Sequence, residues 1–352
     1  MIRPIVGHTS TRVKLAEAAR NDRLPQVLLV TGEAGVGKQR LALWLAQWLL
    51  CGQPAAEPCG TCRGCRSVLE LQHPDLHWFV PVLRPKAADP DGQAEEVAEA
   101  LADVMTERRT RGLWGAPDPM AIHGMGSVRL MRRRAAITAA QGGRRVLIIG
   151  DAERLSLQDG GQDAANALLK LLEEPPAGLH AILTTADERR VLPTIRSRSV
   201  PVRLGRVRDD EVRAFAREVM AAADVEAVVR AADGVIGRAI AQEEGEGEGE
   251  GAATPRKAAE QFLAALRAGD AALSERLLKQ GAFAARGDFT AMLDALSVTL
   301  LERARAAAGK PAAQRKVLAA LDRVADAREA AAGNVNPQLL LTVLADELVA
   351  AR

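Results

Sequence analysis

Apolar positions in the first two hundred residues follow two rhythms. Val27-Leu28-Leu29-Val30, Val146-Leu147-Ile148-Ile149 and Ala181-Ile182-Leu183 are short unbroken runs, the pattern of strands buried on both faces of a parallel sheet. Leu71 to Val80 leads into another strand, and Thr194 to Ser199 leads towards Val200 and Val202. Between the runs, apolar residues recur every three or four positions, which predicts helices over Ser10 to Arg20, Arg40 to Leu50, Ala94 to Arg109 and Ser127 to Ala140. A further helix through Asn166 to Glu174 is stopped by Pro175-Pro176. This alternation over residues 27–204 predicts a parallel sheet covered by helices.

From Asp209 the strand rhythm ceases. Asp209 to Met220 and Asp224 to Ala232 read as helices, so 205–242 forms a small helical domain. The Glu/Gly repeat from Glu243 to Gly251 cannot bury a core and marks an acidic linker over 243–255. Residues 256–352 are helical throughout, punctuated by Gly269, Gly281, Gly309 and Gly333, and Asn336-Pro337 opens the last helix. The third part carries no catalytic constellation and suits an interaction role.

Composition narrows the classes. Among 352 residues, 48% are hydrophobic and 26% charged, a balance that supports several packed cores. The net charge of +2 gives no global attraction to nucleic acid or membrane, so local charge must carry any such claim. The start lacks the apolar segment of a signal peptide and no run reaches membrane-spanning length, so a cytoplasmic protein with no membrane partner is expected.

All cysteines, Cys51, Cys59, Cys62 and Cys65, fall within residues 51–65. Such clustering points to a metal site in a reducing compartment, and four thiolates around tight turns at Gly60 and Gly64 suit a closed, structural zinc site. Iron–sulfur ligation and unligated core cysteines are the rival readings. His73 and His77 read as hydrogen-bonded or solvated side chains, and Trp44 and Trp48 as core packing. Residues 84–126 read as an insertion at the edge of the domain with no chemistry assigned. The helix over 127–140 carries Arg129, Arg132, Arg133 and Arg134, which read either as a solvated face or as a contact for phosphates.

The most informative stretch is Gly32-Glu33-Ala34-Gly35-Val36-Gly37-Lys38-Gln39, following the first apolar run and opening a helix. It is a P-loop pattern: glycines let successive N–H groups converge on phosphates, the helix N-terminus adds its dipole, and Lys38 reaches the outer phosphates. The next position should be Ser or Thr, whose hydroxyl holds magnesium, and here it is Gln39. Gly32, Gly35, Gly37, Lys38 and Gln39 therefore form a degenerate nucleotide site.

Together with Val6-Gly7-His8, the cysteine module after the P-loop helix, Asn166-Ala167-Leu168-Leu169-Lys170, Leu172-Glu173-Glu174-Pro175 and Pro193-Thr194-Ile195-Arg196-Ser197-Arg198, the chain resembles the bacterial DNA polymerase III clamp-loader family within the AAA+ proteins, in its delta-prime branch. The resemblance implies an α/β AAA+ P-loop domain with an inserted zinc module over 1–204, a small helical lid over 205–242 and an all-α collar over 256–352. In active members an Asp-Glu pair ends the second core strand. Here Gly150-Asp151-Ala152-Glu153 matches it, placing Gly150 at the metal-binding acid and Asp151 at the water-activating acid, with no adjacent Asp-Glu pair in either register.

Both supports for magnesium are thus missing, and no ATP hydrolysis is expected; nucleotide binding through Lys38 and the loop amides stays open. Thr184 or Thr185 matches the first sensor and Arg238 lies in the second-sensor region. Arg198, in Ser197-Arg198-Ser199, matches the family's serine–arginine–cysteine motif with a final Ser, which implies an arginine finger acting on a neighbouring subunit's ATP. Three readings follow. The first is a non-hydrolysing subunit in a hetero-oligomer with delta and gamma/tau subunits, meeting the sliding clamp indirectly and primer-template DNA through the complex. The others are a working gamma/tau-type ATPase and a zinc-containing nucleic-acid-binding protein with a vestigial P-loop.

Overall fold

A computed structural model of the protein describes residues 2–110, 114, 117–118, 120–140, 143–155, 161–220, 222, 224–247, 255–278, 286–307, 309–331 and 335–350. The chain divides into two compact units, Met1–Glu244 and Gly245–Arg352.

The first unit starts with helix α1 (Thr9–Arg20), strand β1 (Val27–Thr31), helices α2 (Lys38–Leu49) and α3 (Arg63–Leu69), and strand β2 (Leu76–Phe79). Helices α4 (Pro90–Thr110) and α5 (Met125–Ala136) precede β3 (Arg145–Ile149). Helix α6 (Gly161–Glu173), β4 (Leu179–Thr185), the short helix α7 (Pro193–Arg196) and β5 (Val200–Arg203) complete the sheet region. The five strands are all parallel, in the order β2-β3-β4-β1-β5. Each residue of β1 and β3 is buried, the polar Thr31 and Arg145 along with the apolar runs, with Leu28 level with Ile182 on one side and Val200 on the other. The expected α/β parallel sheet with flanking helices is therefore present. Because all strands run the same way, β1, β3 and β4 deliver their C-terminal loops to one edge, where such sheets place their sites.

Helix α2 is buried at most positions because β1, β3, β4, α1 and α3 all pack on it. Residues 84–126 are more than an edge insertion. Helix α4 buries Ala94, Val97 and Leu101, packs on α5, and the chain on either side of it closes through a bridge between Val82 and Ile122. The polar flanks made it read as peripheral; the buried stripe every three to four residues is what ties it in.

Helices α8 (Asp209–Glu218), α9 (Val225–Ala232) and α10 (Ile236–Gly247) follow. Val212, Phe215, Val229, Ala232 and Ile236 form an apolar cluster of their own, separate from the sheet core. The backbone of α10 stays helical to Gly247, inside the stretch expected to be a linker from residue 243; residues 248–254, which include the rest of its Glu/Gly repeat, lie outside the described residues.

The second unit holds α11 (Pro255–Ala268), α12 (Asp270–Leu278), α13 (Arg286–Ala306), α14 (Pro311–Ala330) and α15 (Pro337–Ala350) around Phe262, Phe289, Leu293, Leu296, Leu341 and Leu344. The Asn336 side chain accepts from the Gln338 amide at 2.9 Å, capping α15. Gly281 and Gly333 lie outside the described residues. Among the described residues, no helix is long and apolar enough to cross a membrane.

Candidate functional site

The P-loop leaves β1 and enters α2 through Gly35 and Gly37, both at positive φ (81° and 109°). Lys38 does not point outward. Its ammonium donates to the carbonyls of Gly32 and Glu33, each at 2.8 Å, and burial lowers its pKa. His8 bonds the Val36 carbonyl through Nε2 at 2.9 Å, fastening the N-terminal segment to the same loop.

Gln39 lies where a metal-holding hydroxyl is expected. Its amide nitrogen donates to Asp151 Oδ2 at 3.2 Å, and its oxygen accepts from Arg108 Nη1 at 2.7 Å. Gly150 leaves room for this amide: a Cβ there would lie 3.0 Å from Gln39 Nε2. Asp151 sits at the end of β3 in the left-handed region, φ 52°, with its amide facing Thr184 Oγ1 at 3.4 Å. Burial raises the Asp151 pKa, as does Glu153, while Arg108, Arg154 and Lys38 oppose them. These residues do not fit a magnesium ion, which takes oxygen ligands in strict octahedral geometry. The expected hydroxyl is an amide already bonded on both sides, and Gly150 offers no carboxylate.

Arg108 and His123 come from the insertion that the sequence left without chemistry. The Arg108 guanidinium lies over the rings of Trp78 (4.8 Å) and Trp114 (5.1 Å), and Trp114 Nε1 donates to the Arg108 carbonyl at 3.1 Å. His123 is fully buried, bonds the Gly150 carbonyl through Nε2 at 2.7 Å, and is pushed down to about 4 by desolvation. A buried arginine on a charged helix carries no sequence signal that separates it from a solvated one.

The helical domain touches the loop directly. Gly237, at the start of α10, donates its N–H to the Gly35 carbonyl at 2.9 Å. Glu33 accepts from Arg206 Nε at 3.0 Å and pairs with Arg238, and both arginines also face Asp233. Arg238, in the second-sensor region, is thus committed to a P-loop carboxylate. Thr185 closes a local turn with Asp187.

Arg198 stands apart from this cradle's contacts. Its guanidinium donates to the Thr194 carbonyl at 3.0 Å and Ser197 Oγ at 3.2 Å, and pairs with Glu173 at 2.6 Å. The side chain remains 35% exposed. Ser199, in place of the family's cysteine, is buried and donates to the Ile195 carbonyl at 2.6 Å.

The four cysteines converge, with all their sulfurs within 4.8 Å of one another. Cys59 and Cys65 are 3.9 Å apart and Cys51 and Cys62 4.0 Å, close to the roughly 3.8 Å spacing of thiolates about 2.3 Å from a tetrahedral ion. The donor set could therefore hold such an ion. The Cys62 and Thr61 amides draw the Cys59 thiol down to about 6, whereas burial pushes Cys65 up. Among the described residues the converging donor set is the four cysteines, without His73 or His77, and His73 instead accepts from the Asp75 amide. Gly64 does not serve a turn, as expected from sequence, but lies within α3, where a Cβ would meet the Leu50 carbonyl at 2.2 Å.

Trp44 and Trp48 do more than fill the core. Trp48 Nε1 donates to the Ala55 carbonyl at 3.0 Å, and Trp44 Nε1 to Glu57 Oε2 at 2.5 Å, so α2 grips the loop between the first two cysteines. Arg12 holds the other Glu57 oxygen at 2.6 Å. Across the sheet, Arg129, Arg132, Arg133 and Lys170 line an open depression of about 540 Å³ between α5 and α6. Arg133 pairs with Asp91 and Arg129 donates to Gln93, so only part of this arginine helix is a free basic face.

The profile of the family described as DNA polymerase III, delta subunit, matches residues 7–208. The DNA polymerase III subunit delta' of Pseudomonas aeruginosa is 32% identical over 173 residues, covering 49% of this chain and 40% of the relative. That of Escherichia coli is 31% identical over 186 residues, 53% of this chain and 44% of the relative. The gamma/tau subunit of Mycobacterium tuberculosis is 30% identical over 196 residues, 55% of this chain and 27% of the relative. The match thus spans well under half the length of these curated relatives. Among solved structures, a DNA polymerase III gamma subunit-related protein from Thermotoga maritima aligns over 98% of this chain and all of its own, at 15% identity and a TM-score of 0.47.

Glu57→Ala should cost about 1–3 kcal/mol in denaturant unfolding, because it strands the buried Trp44 N–H. Glu57→Gln, which keeps an acceptor, should recover most of that loss; equal losses for both would show that the N–H has no need of this partner.

Proposed function

This chain belongs to the DNA polymerase III delta subunit family, and from that premise we propose that it acts as a delta-prime-type subunit of a clamp loader, assisting ATP-driven placement of the sliding clamp on primed DNA. The observation that carries the reading is Gln39, bonded to Arg108 and Asp151 at the position of the metal-holding hydroxyl. Phosphoryl transfer needs a cation to neutralise charge building on the phosphate oxygens, and positioning alone does not replace it. The subunit therefore hydrolyses no ATP of its own. Lys38 and Glu33, held by the loop and by the helical domain, favour a cradle without nucleotide.

Its contribution to the reaction is Arg198, an exposed guanidinium offered to the ATP of a neighbouring gamma/tau-type subunit. The 256–352 helices serve as the oligomerisation collar of a hetero-oligomer with delta and gamma/tau. The basic depression beside Lys170 faces primer-template phosphates, whose binding would weaken with salt. The cysteine cluster holds one structural zinc, closed to substrate by its four thiolates. A cytoplasmic setting accords with free thiols at such a site.

The 30% identity to a gamma/tau subunit favours a second reading, a working ATPase. Purified chain should release no phosphate from Mg-ATP; release that Lys38→Ala abolishes would establish the second reading instead. In a loader reconstituted with delta and gamma/tau, Arg198→Ala should leave the fold intact and reduce clamp-stimulated ATPase by at least about tenfold, given that fingers contribute 10³–10⁵ in rate. Unchanged turnover would remove the finger role. Elemental analysis should find about one zinc per chain, and Cys62→Ser should lose it; iron, or no metal, would overturn the ligand assignment.

A further inference from the structure

Helix α4 ends inside the P-loop site, and its last turn brings a full positive charge there. Arg108 is 7% exposed, an unusual state for an arginine, which is almost never buried without a partner. Two aromatic faces and one amide oxygen receive it: Trp78, Trp114 and Gln39. Trp114 is itself wedged edge-on against Trp78 at 4.9 Å and covered by Arg40 at 3.6 Å. Through Gln39 the hydrogen bonds continue to Asp151, a half-buried acid whose ionised form Arg108 favours most, with Arg154 and Lys38 adding to it. The positive charge of the insertion thus meets the one acid left at the end of β3.

The misfit to magnesium described above has a consequence in charge. A half-buried carboxylate beside Glu153 favours a counter-charge, and in a metal-holding P-loop domain the divalent ion supplies part of it. Here the hydroxyl and one acid are gone, and a guanidinium has come in from a separate helix. We infer that Arg108 is a built-in cation: relayed by Gln39, it balances Asp151 in place of a metal ion and holds the P-loop, β3 and the insertion in one metal-independent arrangement. This deepens the non-hydrolysing reading and rests on it. The insertion then has a definite task, and Gly150 a definite reason, since a side chain there would press on the relaying amide.

Thermal unfolding of the full chain without nucleotide tests the pairing. Arg108→Met keeps the stem and removes the charge, and it should lower Tm by about 5–10 °C, because Asp151 loses the largest of its counter-charges and Gln39 its donor. Asp151→Asn in that background should return at least half of the loss, since neither charge then remains. Equal losses from Arg108→Met with Asp151 or with Asn at that position would overturn the inference and reduce Arg108 to packing on two tryptophans. No loss at all would overturn it as well. Should Arg108→Met fail to fold, soluble, cooperatively melting Arg108→Met/Asp151→Asn protein supports the pairing, and its failure refutes it. Phosphate release by the unaltered chain would sink the non-hydrolysing reading separately, without touching this comparison of melts.

Discussion

A side-chain amide has an oxygen to accept with and a nitrogen to donate with, and Gln39 commits both to groups from distant parts of the chain. Its place is set by β1, which ends in the P-loop and starts α2 one residue earlier, at Lys38. Its reach is set by its own length. A serine or threonine hydroxyl at the same backbone position would stop short of Arg108 and leave Asp151 without its donor. The amide at this position thus adds a polar link between the insertion and the end of β3, beside the His123 bond to the Gly150 carbonyl. A parallel sheet makes this possible, because the ends of β1, β3 and β4 come to one edge and the residues beyond them meet.

The same loop is held from its other side. Glu33 is the only acid within the P-loop sequence, and two arginines of the helical domain converge on it while Gly237 bonds the Gly35 carbonyl. In a P-loop whose phosphates are bound, the amides and the lysine face the ligand and arginines nearby have anionic oxygens to meet. Here the anion is a carboxylate from the chain itself, and the lysine satisfies its donors on loop carbonyls. The inner half of the cradle is thus bonded through Gln39 and the outer half through Glu33.

How much of this was legible follows from what each residue type announces. Strands β1 and β3 each carry four consecutive apolar residues and are buried at every position, and runs that short suit a strand better than a helix. The cysteine cluster was legible for a related reason: the spacing leaves few ways to arrange the thiols except around a centre. The Trp44 and Trp48 contacts were not, because a tryptophan on an apolar helix face reads as packing and its N–H partner lies in a loop of no periodic pattern. Arg108 was hidden most completely. On a helix with charges in every turn it looks like its neighbours, and only the fold shows that the stripe of Ala94, Val97 and Leu101 brings it against the P-loop. Gln39 stood out as a missing hydroxyl, but what it does instead depends on partners 69 and 112 positions away.

The arginines of this chain differ in what they would lose by moving. Arg108 is buried among aromatic rings and bonded to the Gln39 amide, and a hydrogen bond made by a charged group contributes about 1.5–3 kcal/mol. Arg198 is bound to Glu173 by a pair whose side chains are 35% and 43% exposed, the kind worth about 0–1 kcal/mol. A finger acting on a neighbour's phosphate contributes about 4–7 kcal/mol to the transition state, from its 10³–10⁵ effect on rate. Letting go of Glu173 would be a small cost against such a gain, and letting go of Gln39 a larger one. Both arginines stand at the end of a helix, α4 for one and α7 for the other, yet their surroundings differ: one is enclosed beside the P-loop, and the other is loosely held at the surface, where the proposed finger role would need only the exposed pair with Glu173 to open.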